Sequence, residues 1–215
     1  MPGLLAGVCL GAVALGAARW GAGPVPALVF AGLLAPTIGA CLGAAGPGVP
    51  KLWASFRMGL AALVILGCWT LVPGVDPVGV VLAWSGLMFL GSGIAALLHG
   101  RWSMDQRSLG AALFFLGALL SALPGGAGRL PGGAFDPATT ACLLDLSPAT
   151  LMVESAGLDW LRHPAVYGPA GGDALGPDLR GPWGALAGGV LALVGYALTQ
   201  LGWRLRRAPK HHVHP

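Results

Sequence analysis

The densest group of chemically capable side chains lies within and just before a ten-residue stretch of sequence LDWLRHPAVY. The group consists of Glu154, Asp159, Trp160, Arg162, His163 and Tyr167. An imidazole beside a carboxylate can accept a proton or bind a metal. One interpretation therefore makes His163 a proton acceptor or metal ligand oriented by Asp159 or Glu154.

A second interpretation of this polar cluster requires no chemistry, and we favour it. Trp160 and Tyr167 would anchor the chain at a membrane–water interface, where amphipathic rings are enriched. Arg162 would pair with a nearby acid. No second histidine or cysteine pair lies close enough in sequence to complete a metal site around His163.

Charged groups inside apolar segments are costly and usually functional, and the apolar segments here contain no Asp, Glu, Lys or Arg away from their ends. The run Leu90-Gly91-Ser92-Gly93 resembles the motif of the rhomboid intramembrane serine proteases. That motif requires glycine at Leu90 and a histidine in the last helix, where Gly195 to Gly202 has none. Phosphate-binding, haem and zinc-protease motifs do not occur either. We expect neither an enzyme nor a cofactor or metal site.

The composition excludes an ordinary soluble globule. Of 215 residues, 55% are hydrophobic and only 9% are charged, which predicts an integral membrane protein. The net charge of +4 comes from basic residues that cluster beside apolar segments, a pattern that sets membrane orientation. Nucleic-acid binding is therefore not expected. Three of the four cysteines lie in separate apolar segments and act as small apolar residues.

Six apolar segments predict an all-α fold, a polytopic helical membrane protein of about six transmembrane helices. The segments are Gly3 to Ala18, Val25 to Ala44, Met58 to Val72, Val78 to Leu98, Leu109 to Leu123 and Trp183 to Trp203. The first lacks a basic residue ahead of it, so we interpret it as an uncleaved helix. The fifth has only about fifteen residues, which is short for about 30 Å of hydrocarbon.

The basic tail after the sixth segment fixes the orientation, because Lys- and Arg-rich ends stay in the cytoplasm. With both termini inside, the cytoplasmic side holds eight of the twelve basic residues and only Asp105 of the eight acids. The chain then divides into helices one to five (1–123), an external segment (124–182), helix six (183–203) and a basic cytoplasmic tail (204–215). The bacterial inner membrane is the expected location.

The external segment is predicted to contain two short helices. Asp136-Pro137 and Ser147-Pro148 each place a capping side chain before a proline at the first helical position. The second helix runs from Pro148 to Ala156 and ends before Gly157. Gly125 to Gly133 is rich in glycine and proline and is expected to be irregular. The short helices are too apolar to float freely, so they lie on the outer membrane surface or dip between the transmembrane helices.

The loop from Gly46 to Arg57, GPGVPKLWASFR, joins segments two and three on the cytoplasmic side. It places two aromatic and two basic side chains close together: Lys51, Trp53, Phe56 and Arg57. Such a group is typical of an interface anchor. The alternative is a short amphipathic helix that docks a cytoplasmic partner.

This layout resembles the ABC-2 type permeases, the membrane subunits of ATP-binding-cassette exporters. The likeness lies in six spans with both ends inside, the amphipathic loop Lys51 to Arg57, the basic break Arg101 to Arg107 and the turn Leu146-Ser147-Pro148 before the last helix. An amphipathic helix before the first span, and the charged loop common after the second, do not occur. The likeness therefore rests on layout.

The resemblance implies a dimer that recruits a separate cytoplasmic ATPase and works by alternating access. In that family the inner loop docks on the ATPase, which would assign Lys51, Trp53, Phe56 and Arg57 to docking. The alternative function is a non-catalytic accessory or scaffold subunit that packs against a larger membrane complex through glycine-rich helix faces. Either function implies a homo- or hetero-oligomer in the lipid bilayer.

Overall fold

The computed structural model describes residues 24–43, 70–102, 106–127, 146–158 and 184–207. These ranges contain five helices: α1 (Val25–Gly43), α2 (Pro77–Trp102), α3 (Gln106–Ala127), α4 (Pro148–Ser155) and α5 (Gly184–Arg207). All regular structure in these ranges is helical, as the sequence predicts. α1, α2, α3 and α5 correspond to apolar segments two, four, five and six. Segment one and nearly all of segment three lie outside the described residues.

Three helices are longer than their apolar segments, and one of them is α5, which extends past segment six to Arg207. α3 has 22 residues, about 33 Å at 1.5 Å per residue, but its apolar stretch covers only Ser108–Ala122, which is short, as the sequence predicts. The helix itself continues to Ala127, so the first three residues of the stretch expected to be irregular are helical. α2 likewise continues to Trp102, into the basic break Arg101 to Arg107. Counting apolar residues misses these turns because a helix can extend beyond the apolar run.

The glycines of α5 pack directly against the backbone of α2. Gly188, Gly195 and Gly202 follow one another at seven-residue intervals on one face of α5. A Cβ atom on Gly188 would lie 2.6 Å from the Leu82 carbonyl oxygen, and one on Gly202 would lie 2.6 Å from that of Ala96. The later glycine of α5 therefore contacts the later residue of α2. α2 and α5 are therefore parallel helices in very close contact, as small residues permit.

α1 runs in the same direction as α2. The start of α1 shares a buried apolar cluster with Val80, and Ala40 near its end shares another with Ala95. Between these clusters the two backbones meet at glycines: Gly39 lies against Met88 and Gly91 against Pro36.

α3 runs in the opposite direction. Near its start the Gly110 carbonyl accepts a hydrogen bond from the Thr37 hydroxyl at 3.2 Å, whereas farther along Gly117 faces Leu33. Segments two, four and six thus point one way and segment five the other. A chain whose six successive spans cross the membrane in alternating directions requires these helix directions. The six-span topology itself stays a prediction.

Two of the helices are long and apolar enough to cross a membrane, over Pro77–His99 and Leu186–Leu205. α1 and α3 contain shorter apolar stretches, Val25–Cys41 and Ser108–Ala122. Large apolar side chains are exposed along α3 and α5, among them Phe115 and Leu193, each 71% exposed. This agrees with the membrane protein that the composition predicts.

Candidate functional site

The short helix α4 forms where the local sequence predicts it. Ser147 has extended backbone angles and caps the helix, its hydroxyl accepting a hydrogen bond from the Thr150 amide at 3.2 Å. Pro148 occupies the first helical position, where its missing N–H costs nothing. Gly157 follows the helix with φ of +77°, a left-handed conformation that favours glycine.

α4 is buried inside the helix bundle, so of the two predicted placements it dips between the long helices. Seven of its eight residues are buried: Pro148, Ala149, Thr150, Leu151, Met152, Val153 and Ser155. Glycines on the long helices allow the backbone of α4 to approach them closely. Gly32 of α1 lies against the Pro148 carbonyl, and Gly79 of α2 lies against the Ser155 carbonyl. α4 therefore sits at the end of the bundle where α1 and α2 begin and α3 approaches its end.

Hydrogen bonds connect both ends of α4 to neighbouring parts of the chain. The Ser147 hydroxyl donates to the Ser121 hydroxyl at 3.0 Å, and Ser121 donates to the Gly117 carbonyl at 2.8 Å, which ties the start of α4 to α3. At the other end, the Asp76 amide donates to the Ala156 carbonyl at 2.8 Å. The Asp76 carboxylate also accepts from the Val78 amide at 3.0 Å and so caps α2.

Two buried polar atoms in this region lack a hydrogen-bond partner among the described residues. They are the hydroxyl oxygen of Ser155 on α4 and the indole nitrogen of Trp84 on α2. Trp84 is only 1% exposed and belongs to the same apolar cluster as Met152. An unsatisfied buried donor destabilises a fold by about 1–3 kcal/mol. The packing around α4 thus carries a cost that apolar burial must offset.

Of the predicted polar cluster, only Glu154 is among the described residues. It is half-buried, on a helix whose other residues are buried. The remaining members, Asp159, Trp160, Arg162, His163 and Tyr167, lie outside the described ranges, as do the predicted docking residues Lys51, Trp53, Phe56 and Arg57. Both groups therefore remain predictions. In the described ranges, no three His, Cys, Asp or Glu side chains are grouped closely enough to bind a metal.

The protease-like run in α2 serves helix packing. Ser92 is 7% exposed. The glycines beside it face two different helices: Gly91 contacts Pro36 of α1, and Gly93 contacts Gly195 of α5. These glycines let three helices approach one another closely.

The sequence did not identify Ser121, Trp84 or Asp76 as parts of the α4 region. Asp76 had a usable signal, because Asp76-Pro77 is the same cap-and-proline pair as Ser147-Pro148. Ser121 and Trp84 gave none, since a single serine or tryptophan in an apolar helix does not indicate which residue it will meet. No family model, no curated protein and no solved structure matches the chain.

Proposed function

We propose that this chain is the membrane-spanning permease subunit of an ATP-binding-cassette-type transporter in the bacterial inner membrane. In this proposal the protein forms a passage by moving helices and performs no bond chemistry. A separate cytoplasmic ATPase supplies the energy. The loop with Lys51, Trp53, Phe56 and Arg57 receives that ATPase on the cytoplasmic side.

One observation carries the proposal: a short capped helix between apolar segments five and six is buried among the long helices. α4 packs on the first turns of α2 through Gly79 and on α1 through Gly32. It reaches α3 through the hydrogen bond from Ser147 to Ser121. A helix on a surface loop of a scaffold protein has no need of such burial, whereas a permease needs an element that closes one end of its passage.

The directions of the long helices support the same proposal. α1, α2 and α5 are parallel and α3 is antiparallel, with α4 at the end where α3 finishes. In the proposed threading this is the external end. Residues 124–182 then lie outside the cell, and the polar cluster that includes Glu154 and His163 faces that side.

Co-expression with an ATPase encoded beside this chain tests the proposal. We expect the two proteins to co-purify in mild detergent and the ATPase rate to change when the permease is present. The triple variant Lys51→Ala, Trp53→Ala, Arg57→Ala should lose co-purification. The variant Arg129→Ala, Arg180→Ala removes the same number of positive charges from the external segment and should retain co-purification. Equal binding by both variants would contradict docking through the loop.

A second candidate, the non-catalytic accessory subunit, is favoured by the exposure of α5. Only 17% of its membrane-length window is buried, compared with 61% for α2. A helix with so much free surface can be one half of a contact with another membrane protein. This candidate predicts that the chain is degraded when expressed alone and accumulates only with its partner, whereas a permease should assemble without a further membrane protein.

A further inference from the structure

The charged residues of the described ranges are sorted by the two ends of the helix bundle. The end where α2 and α5 finish and α3 begins holds every arginine in these ranges: Arg101, Arg107, Arg204, Arg206 and Arg207. Both acids of the described ranges, Asp76 and Glu154, lie at the opposite end, before α2 and in α4. Asp105, which separates α2 from α3 in sequence, can offset only one of the five positive charges.

The arginines at the ends of α2 and α5 lie at one level of the bundle. The glycine contacts between these parallel helices advance by seven residues on both: Gly188 with Leu82, Gly195 with Phe89 and Gly202 with Ala96. Five residues beyond the last of these contacts, Arg207 is level with Arg101. Three residues beyond it, the membrane-length spans Pro77–His99 and Leu186–Leu205 end together.

This level is the one at which lipid headgroups lie if the spans cross a membrane. Arg101 and Arg207 each follow the end of a span by two residues, about 3 Å at 1.5 Å per residue. α3 changes from basic to apolar at the same end, because Leu109, two residues after Arg107, packs in a buried cluster with Ala95 of α2. Arg204 is exposed in the last turn of its span, and its long side chain can extend into the headgroup layer.

We propose that this basic end of the bundle binds anionic phospholipid headgroups, such as that of phosphatidylglycerol, in preference to zwitterionic ones. A guanidinium group donates two parallel hydrogen bonds to phosphate oxygens. An anionic headgroup has no cation of its own to oppose the cluster of arginines, and basic clusters beside a membrane span typically recognise such lipids. Leu201 and Leu205, 46% and 42% exposed, offer apolar contact to the acyl chains. The inference rests on the membrane placement in the proposed function and is independent of ATPase docking.

Association of spin-labelled lipids with the full chain tests this proposal. In phosphatidylcholine vesicles at low ionic strength, spin-labelled phosphatidylglycerol should associate more strongly with the protein than spin-labelled phosphatidylcholine. Arg101→Gln with Arg204→Gln should lower this preference at least about fivefold, the factor that one basic side chain contributes near an anionic membrane surface. Arg129→Gln with Arg180→Gln removes the same charge from the external segment and should leave the preference unchanged. Equal effects of the two variants would overturn the proposal.

Further measurements separate the charge of these side chains from any effect on folding. Arg101→Lys with Arg204→Lys keeps both charges and should keep most of the preference. Added salt should lower the preference in the parent protein, because salt screens charges at a surface. Equal association of the two lipids with the parent protein would overturn the proposal, even if ATPase binding succeeds. Inorganic phosphate that displaces phosphatidylglycerol more strongly than chloride at equal ionic strength would also overturn it, because the occupant would then be a free anion.

Discussion

The Ser147 hydroxyl donates a hydrogen bond to the Ser121 hydroxyl at 3.0 Å, joining the cap of α4 to α3 across 26 residues of chain. The same Ser147 oxygen accepts the Thr150 amide. One side chain therefore starts the short helix and also fixes it to the bundle. Local capping chemistry and tertiary placement coincide at this residue, so its loss should affect both.

Ser147→Ala should lower the free energy of unfolding by about 1–2 kcal/mol. It removes the cap, which typically contributes about 1 kcal/mol, and leaves Ser121 without its donor. Thermal unfolding in detergent, followed by circular dichroism, measures the change. Ser121→Ala loses the link to α4 and a hydrogen bond to the Gly117 carbonyl within α3, but it keeps the cap of α4 and should cost less. Equal losses in the two variants would argue against a separate contribution from the cap.

Ser155→Ala should have the opposite effect on stability. The Ser155 hydroxyl oxygen is buried and has no hydrogen-bond partner in the described part of the chain, so its removal relieves a desolvation cost of about 1 kcal/mol or more. Alanine also has the highest helix propensity. We expect a midpoint of thermal unfolding equal to or above that of the parent protein. A clear loss of stability would mean that this hydroxyl has a partner in the membrane, such as a bound water.

The bounds of α4 could be predicted, but its surroundings could not. Ser147, Pro148 and Gly157 act within one helical turn, so their signals can be read from consecutive residues. Burial against Gly32 and Gly79 depends on residues more than 65 positions away in sequence. In a chain with 37 glycines, nothing local distinguishes these two from the rest.

The glycine contacts between α2 and α5 should tolerate no added methyl group. Gly195→Ala places a Cβ atom against the backbone of Phe89, and backbone cannot yield as a flexible side chain can. Overpacking of this kind costs about 1–3 kcal/mol. Gly117→Ala is the matched control, because its Cβ would meet Pro148 at an ordinary 3.5 Å. It should be neutral or stabilising by up to about 1 kcal/mol.

Unfolding in detergent distinguishes the two glycine variants. If Gly195→Ala is as stable as Gly117→Ala, the close approach of α2 and α5 is not maintained in the membrane. The hydropathy of the sequence predicts both helices but not this approach, since apolar residues surround each helix and mark no preferred neighbour. The seven-residue spacing of Gly188, Gly195 and Gly202 is the signal that could have identified the packing face.

The proposed membrane topology predicts on which side of the membrane the segment 124–182 and the C-terminal tail lie. Cys142 lies in the segment 124–182, which the charge distribution places outside. In spheroplasts, a variant that keeps Cys142 as its only cysteine should react with a membrane-impermeant maleimide. The variant Ala208→Cys in a cysteine-free background should react only after lysis, because the basic tail keeps that end of the chain in the cytoplasm.

α4 begins six residues after Cys142 and is hydrogen-bonded to Ser121 of α3. Reaction of Cys142 only after lysis would therefore place this end of the bundle in the cytoplasm. The external position of α4, and with it the permease proposal, would then be wrong.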